Sequence, residues 1–382
     1  MDFVLIDPQQ AHDLRAKVSA QQGIWEEVAF GLRQWGKANL EKGPWSVTFS
    51  KRHAISGNPH DYFSQGPYWW PNPEDPDGPF IRRDGEIYPG RFNDHHAWFG
   101  QLADTVLALA TSGYYLEEKP FLDRAAELLR VWFIDEKTRM NPHMRYGQLI
   151  PGICDGRPIG LIELNSVDRI IHALGFFSEE PDYADLLAGM RVWIGEMLDW
   201  LLIPGGFGEE ECRNGNNHAT WCVAHMVTFA AFLDREDVIP VCEKWYREVL
   251  LSQIAADGSL PKELARTRSY HYTRFGLDPF ALICEVMLKY GINLWNEENA
   301  QGGSLRKAAA FLLPAVENPF SWKWPQILGD DTSDSFFLQY AAKRLNLPAC
   351  AEVNRQRREG YKLIRMQEPM GPLCLLGGTF LA

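Results

Sequence analysis

Apolar residues recur at helical spacing along most of the chain. Leu14, Val18, Ile24, Val28 and Leu32 mark two helices between Asp7 and Leu40. From Asp94 onward the same spacing predicts helices over 94–113, 117–134, 160–176, 182–202, 216–233, 237–254, 262–290, 303–313 and 333–345, separated by short Gly or Pro breaks. Strict polar–apolar alternation is rare, so a large sheet is not expected. Helix pairs that follow one another without a sequence repeat predict a mainly α protein. The expected architecture is a single α/α toroid, an incomplete barrel of helix pairs whose inner helices line a cleft. No Ser-, Gly- or Pro-rich linker divides the chain, so 1–382 is read as one domain.

Two stretches break the helical pattern. Residues 42–93 are rich in Pro, Gly and aromatics and show little periodicity. A long irregular segment in a compact protein usually serves function, so it is read as a lid over the cleft or a groove wall. Tyr68, Trp69 and Trp70 would be its sugar platforms, with at least one of the two Trp equally suited to plugging the loop down. At the other end, 361–382 carries short apolar runs that suit a packing arm.

Charge narrows the partners. The chain has 38 Lys and Arg against 50 Asp and Glu, a net charge of −12, which argues against non-specific nucleic-acid binding. An anionic ligand would need a local basic cleft, for which Arg82, Arg83, Arg266, Arg268 and Arg274 are available. The 14 Trp and 13 Tyr suit a sugar cleft, although most of the Trp are expected in the core. Seven scattered Cys with no Cys-x-x-Cys pair read as reduced thiols and no zinc framework. Glu209-Glu210-Glu211 has no His at ligand spacing beside it and reads as a solvated acidic loop. No metal or cofactor is expected. Met1–Asp7 is too short and acidic for a secretory leader, and no apolar run reaches spanning length. The expectation is a cytoplasmic protein, or an exported one if a leader has been removed. The oligomeric state is not legible.

The candidate chemistry sits where helical periodicity resumes. In Asn214-Gly-Asn216-Asn217-His218, followed by an apolar run from Trp221, Asn residues stand at the mouth of a helix. Its free N–H groups and partial positive charge suit a carboxylate. Further on, 266–274 packs Arg266, Arg268, Arg274, Tyr270, Tyr272 and His271 into nine residues. Such density of cations and phenols is natural in an anion-binding cleft.

The pattern Asn216-Asn-His218, then Asp257-Gly-Ser-Leu-Pro-Lys-Glu263-Leu-Ala-Arg266-Thr, then Tyr272-Thr-Arg-Phe275-Gly-Leu277, resembles the alginate-lyase superfamily of polysaccharide lyases. Two earlier blocks resemble it too. One is Asp61-Tyr-Phe-Ser-Gln-Gly-Pro-Tyr68-Trp69-Trp70 with Arg82-Arg83-Asp84-Gly85. The other is Met140-Asn-Pro-His143-Met-Arg-Tyr146-Gly-Gln148 with Gly156-Arg157-Pro-Ile-Gly160. The blocks occur in the family's order between Lys51 and Tyr290. The resemblance implies the same toroid and an anionic polysaccharide substrate.

A 1,4-linked uronate is cleaved by β-elimination. A base takes the C5 proton, the carboxylate must be neutralised, and an acid protonates the leaving oxygen. Asn217 can donate to the carboxylate and Arg266 can grip it. His218 can do the same if protonated, or act as base if neutral. Tyr272, with a phenol of ordinary pKa about 10, is the natural proton carrier, and a cation beside it should make its phenolate accessible. The resemblance assigns these parts to these four positions. One Tyr can serve as both base and acid when the C5 proton and leaving oxygen share a face, as in β-mannuronate or β-glucuronate. Guluronate needs two groups, with His218 as base. Arg266 and Tyr272 lie six apart and would point about 120° apart on a regular helix, which keeps Arg268 as an alternative partner and Tyr270 and His271 as second-choice proton carriers. Tyr146, Gln148, Trp221, Arg268 and His271 are read as substrate contacts with Tyr68, Trp69, Trp70 and Arg82; Arg157 and His96 are weaker candidates. The competing reading is a glycoside hydrolase on the same toroid, with two carboxylates from Glu163, Asp168, Glu263 and Asp331. A third is a non-catalytic glycan-binding protein.

Overall fold

The computed structural model describes residues 3–327 and 335–350. The expected arm at 361–382, Asp331 and Cys374 lie outside the described residues. Thirteen α-helices are present among the described residues: α1 (Pro8–Ala20), α2 (Ile24–Asn39), α3 (Asp94–Leu116), α4 (Lys119–Phe133), α5 (Asn165–Leu174), α6 (Ala184–Leu201), α7 (Phe207–Cys212), α8 (Asn217–Leu233), α9 (Ile239–Trp245), α10 (Pro261–Leu264), α11 (Ser269–Leu288), α12 (Leu305–Glu317) and α13 (Phe336–Arg344). Only four short strands accompany them: β1 (Phe63–Gln65), β2 (Trp69–Trp70), β3 (Ile81–Arg82) and β4 (Tyr146–Leu149). The protein is mainly α and forms the expected helical toroid.

Burial separates the two rings of helices. α3, α5, α8 and α11 are buried along most of their length on all sides. Such helices belong inside. α2, α4, α6 and α12 bury one face only. On α4 that face is Phe121, Leu122, Ala125, Ala126, Leu128, Leu129, Trp132 and Phe133. Each large side chain so buried contributes about 1.5–3 kcal/mol. No helix among the described residues is long and apolar enough to cross a membrane.

The inner pair α8 and α11 carries the site. Asn216 caps α8 by accepting from Ala219 N at 3.2 Å. A Cβ at Gly276 of α11 would come within 3.2 Å of Asn217 Cβ, so the missing side chain lets α11 lie directly against the mouth of α8.

Several boundaries differ from the periodicity. The helix expected over 262–290 is two, α10 and α11, with Ala265–Arg268 between them. Tertiary partners take that stretch: Thr267 N donates to Asp84 Oδ2, Ser269 N donates to the Pro325 carbonyl, and Ile327 N donates to the Thr267 carbonyl. The helix expected over 160–176 begins as a 3-10 segment, Pro158–Leu164, and the one over 237–254 continues past α9 as a π turn, Tyr246–Leu250. Glu209–Glu211 is not a solvated loop. It lies in α7, where Glu211 is buried. The 42–93 loop is pinned by β1 pairing parallel with β4 and by β2 pairing antiparallel with β3.

Candidate active site

The mouth of α8 already holds an anion, and it is the protein's own. Glu263 of α10 accepts from Asn217 N and from Asn217 Nδ2, each at 2.8 Å. Both residues are 1% exposed. Burial raises the Glu263 carboxyl above its ordinary range, against the bonds from Asn217. Asn217 Oδ1 keeps no partner, and its amide nitrogen has a second hydrogen, so the group retains polar capacity toward a ligand.

His218, one residue on, is neutral in the free protein. Burial pushes its imidazole down to about 3, helped by the charges of Arg266, Arg157 and Arg82, while the Ile159 carbonyl acts the other way. The reading of a protonated His218 therefore does not hold before substrate arrives.

Arg266, in the turn between α10 and α11, lies over the Tyr272 ring at 3.8 Å. The 120° objection applied to a continuous helix, and the break at Ala265–Arg268 removes it. Arg268 is the residue before α11 and pairs instead with Gln326 across an isolated bridge. The Nε–Nη2 edge of Arg266 is held from the 42–93 loop. Asp84 accepts from Arg266 Nη2 at 2.8 Å and Nε at 3.1 Å, and from the Thr267 N–H and hydroxyl. These bonds hold the Asp84 carboxyl well below the usual range, against burial. Arg82 also reaches Asp84, at 2.7 Å.

Tyr272 is 5% exposed and its hydroxyl is hydrogen-bonded to that of Tyr68. Burial first, then Tyr68, pushes its phenol up; Arg266 pulls the other way and does not prevail. The accessible phenolate expected from a neighbouring cation is therefore not the state of the free protein, because desolvation outweighs the charge.

The loop residues divide. Tyr68 meets Tyr272, and Trp69 lies beside Arg157, 5.8 Å from its ring centre. Trp70 turns into the loop, donating to the Glu86 carbonyl at 3.0 Å and packing on Tyr88 and Arg83. Gln148 is buried and serves Arg157, which donates to its carbonyl at 3.0 Å and to its Oε1 at 3.1 Å. Tyr146 packs on the small cluster of Ala54, Phe63 and Phe92. Trp221, expected at the substrate, is core: it donates to the Phe275 carbonyl at 3.1 Å and packs against Phe275 and His225. His271 stacks on Phe275, with its edge to Tyr272.

Three of the carboxylates considered for hydrolysis are occupied. Glu163 accepts from the Tyr62 and Ser64 hydroxyls at 2.7 Å, Asp168 pairs with His225 at 2.6 Å, and Glu263 holds Asn217. Among the described residues no group of three or more His, Cys, Asp or Glu could hold a metal. Asp84, Glu211 and the anchoring use of Glu263 were missed by residue-type reasoning. Asp84 and Glu263 lay inside the motif blocks, which was the available signal; Glu211 had none.

A family model described as alginate lyase matches residues 46–322. No curated protein matches the chain. Among solved structures the chain is similar to an alginate lyase from Bacteroides ovatus, with TM-score 0.87 and 28% identity over 98% of each chain. It shares its fold with alginate lyase A1-III from Sphingomonas species A1, with TM-score 0.55 and 16% identity over 98% of this chain and 97% of that one. A variant of A1-III complexed with tetrasaccharide aligns with TM-score 0.54 and 15% identity over 90% and 93% of the two chains.

Proposed function

The chain belongs to the alginate lyase family, and we propose that it cleaves a 1,4-linked polyuronate of the alginate type by β-elimination, with Tyr272 carrying the proton. It is a polysaccharide lyase acting on an alginate-like substrate. The observation that carries the mechanism is the Arg266 guanidinium stacked 3.8 Å over Tyr272, beside the turn of α8 that presents Asn217 and His218.

In this reading Arg266, with the Asn217 amide, binds the carboxylate on C5. That negative charge offsets the arginines that, after burial, help to keep His218 neutral, so His218 accepts the phenolic proton of Tyr272. The Tyr272 phenolate takes the C5 proton, and the electron pair left on C5 spreads into the carboxylate as a dianion held by Arg266 and the imidazolium. The C4–O bond then breaks, the C4–C5 double bond forms, and Tyr272 gives the proton to the leaving oxygen. His218 returns its proton to Tyr272. Because one group works both ends, substrates whose C5 proton and leaving oxygen share a face are favoured: β-mannuronan first, β-glucuronan second. Tyr68, Trp69, Arg82 and Arg157 form the wall for the sugar. Among the described residues one core cluster draws members from Phe3 to Cys350, beside a small one of Ala54, Phe63 and Phe92, which supports reading the chain as one catalytic domain.

A second reading has His218 take the C5 proton itself, with Tyr272 only as acid. Their protonation states in the free protein, neutral imidazole and neutral phenol, favour it, and it predicts guluronate as substrate. Absorbance of the unsaturated product decides, measured on polymannuronate, polyguluronate and glucuronan in chelating buffer. A signal on polymannuronate that is lost in Tyr272→Phe supports the first reading. A signal confined to polyguluronate selects the second, and reducing ends without absorbance would overturn both.

A further inference from the structure

We propose that Glu211 is the positioning residue for His218: its carboxylate takes the Nδ1–H of the imidazole, fixes the tautomer, and steadies the imidazolium while His218 holds a proton. The proposal rests on the reaction above, since that reaction gives His218 a proton to hold.

The geometry points there from both sides. Glu211 is 1% exposed. Its Oε2 accepts from Asn214 Nδ2 at 3.0 Å, while its Oε1 is buried with no hydrogen-bond partner. His218 Nδ1 is also buried and without a partner. The two atoms lie 3.6 Å apart. An ordinary N–H···O contact is about 2.7–3.2 Å, so a closure of roughly half an ångström joins them. Leaving a buried carboxylate oxygen unpaired is destabilising, because the water it lost is not replaced by another donor. A fold that tolerates this beside an unpaired imidazole nitrogen gains the pair whenever the imidazole becomes charged, because a charge-assisted bond is about twice as strong as a neutral one.

α7 is a firm support for this carboxylate. A Cβ at Gly208 would come within 2.1 Å of the Leu201 carbonyl, so the short helix packs backbone-to-backbone on the end of α6. The other charged and titratable groups acting on the pair are Arg157 on both members, Glu210 on Glu211, Arg266 and Arg82 on His218, and Cys222, which feels Glu211. Burial raises the Glu211 carboxyl to about 7 against the pull of Asn214 and Arg157, so its carboxylate form is gained above that pH, and burial together with the cations opposes a charged His218. Glu211 is the only carboxylate that the described residues place within ion-pair reach of this imidazole. The proton movement balances without another reactant: His218 Nε2 takes a proton from Tyr272 and later returns it, while Nδ1–H stays donated to Glu211.

The first test needs no substrate. Long-range 1H–15N NMR of the histidine rings in the wild-type protein, with His218 assigned by loss of its signals in His218→Asn, should show His218 neutral and protonated at Nδ1. Protonation at Nε2 alone overturns the proposal. The isosteric Glu211→Gln should shift His218 toward the Nε2–H form. On the polymer with the strongest absorbance signal it should lower kcat about 10–100-fold, the usual effect of removing an orienting partner, with KM within about twofold. An unchanged tautomer together with an unchanged kcat in that variant also overturns it. If Glu211→Gln does not fold, the wild-type tautomer still decides. The reaction reading fails separately, when Tyr272→Phe keeps its activity, and that result leaves the NMR outcome standing.

Discussion

Glu263 holds Asn217 by two hydrogen bonds of 2.8 Å, one from the first backbone N–H of α8 and one from the side-chain amide. A single carboxylate thus caps the helix and orients the amide to which the proposed reaction gives the sugar carboxylate. Truncation in Glu263→Ala leaves both donors buried without an acceptor, which costs about 2–3 kcal/mol. Urea unfolding is expected to show that loss, and kcat to fall with it. Glu263→Gln retains one acceptor and should lose clearly less on both measures.

Arg266 and Arg268 can be told apart by substitution. Arg266 stacks on Tyr272 and presents a planar fork; Lys keeps the charge and loses both features. Arg266→Lys is expected to lower kcat about 100-fold. Arg268→Ala, at the residue bridged to Gln326, should change it by less than about fivefold. Steady-state absorbance assays of the two variants check this, and equal losses would show that general positive charge is what matters.

Asp84 ties the loop to Arg266 across 182 residues of sequence. Asp84→Asn weakens that tie and leaves the guanidinium free to rotate. KM should rise and kcat fall together, each by about tenfold. The folded protein holds this carboxyl below its ordinary 3.8, so the stability it contributes is present above that pH and is lost as pH falls below it. The slope of stability against pH in acid should therefore be shallower in Asp84→Asn.

Tyr68 is the second influence, after burial, that raises the Tyr272 phenol. Tyr68→Phe removes it and leaves Arg266 in place, so the phenolate should form at lower pH. If Tyr272 is the base, the rise of kcat toward alkaline pH is expected to move to lower pH in this variant. A pH–rate profile that keeps its position would show that Tyr272 does not start the reaction as a base.

Glu211 carries a stability signature of its own. Burial pushes its carboxyl up to about 7 from an ordinary 4.5. Between those values the folded protein keeps a proton that the unfolded chain has lost. Stability from this group is therefore full below pH 4.5 and is lost as pH rises through about 7. The difference is on the order of 3 kcal/mol. Glu211→Gln should flatten the wild-type decline across that window, measured by urea unfolding at a series of pH values.

What the chain determined by itself was local. Apolar spacing set the helices, Asn216 marked the start of α8, and the motif blocks carried the residue types of the site and of the family. These are short-range properties, decided by neighbours within a turn or two. What only the tertiary structure decided was partnership and protonation. The break before α11 arises because Asp84 and residues 325–327 supply hydrogen bonds that compete with the helix, and no local window contains both sides. Tyr68 meets Tyr272 across 204 residues. Glu209 and Glu211 look alike in sequence, yet one pairs with Arg213 at the surface and the other is buried beside His218. The phenol of Tyr272 and the imidazole of His218 take their states from desolvation and from charges gathered by the fold. Residue type sets what a group can do; the surroundings that chain closure brings together set which form it holds.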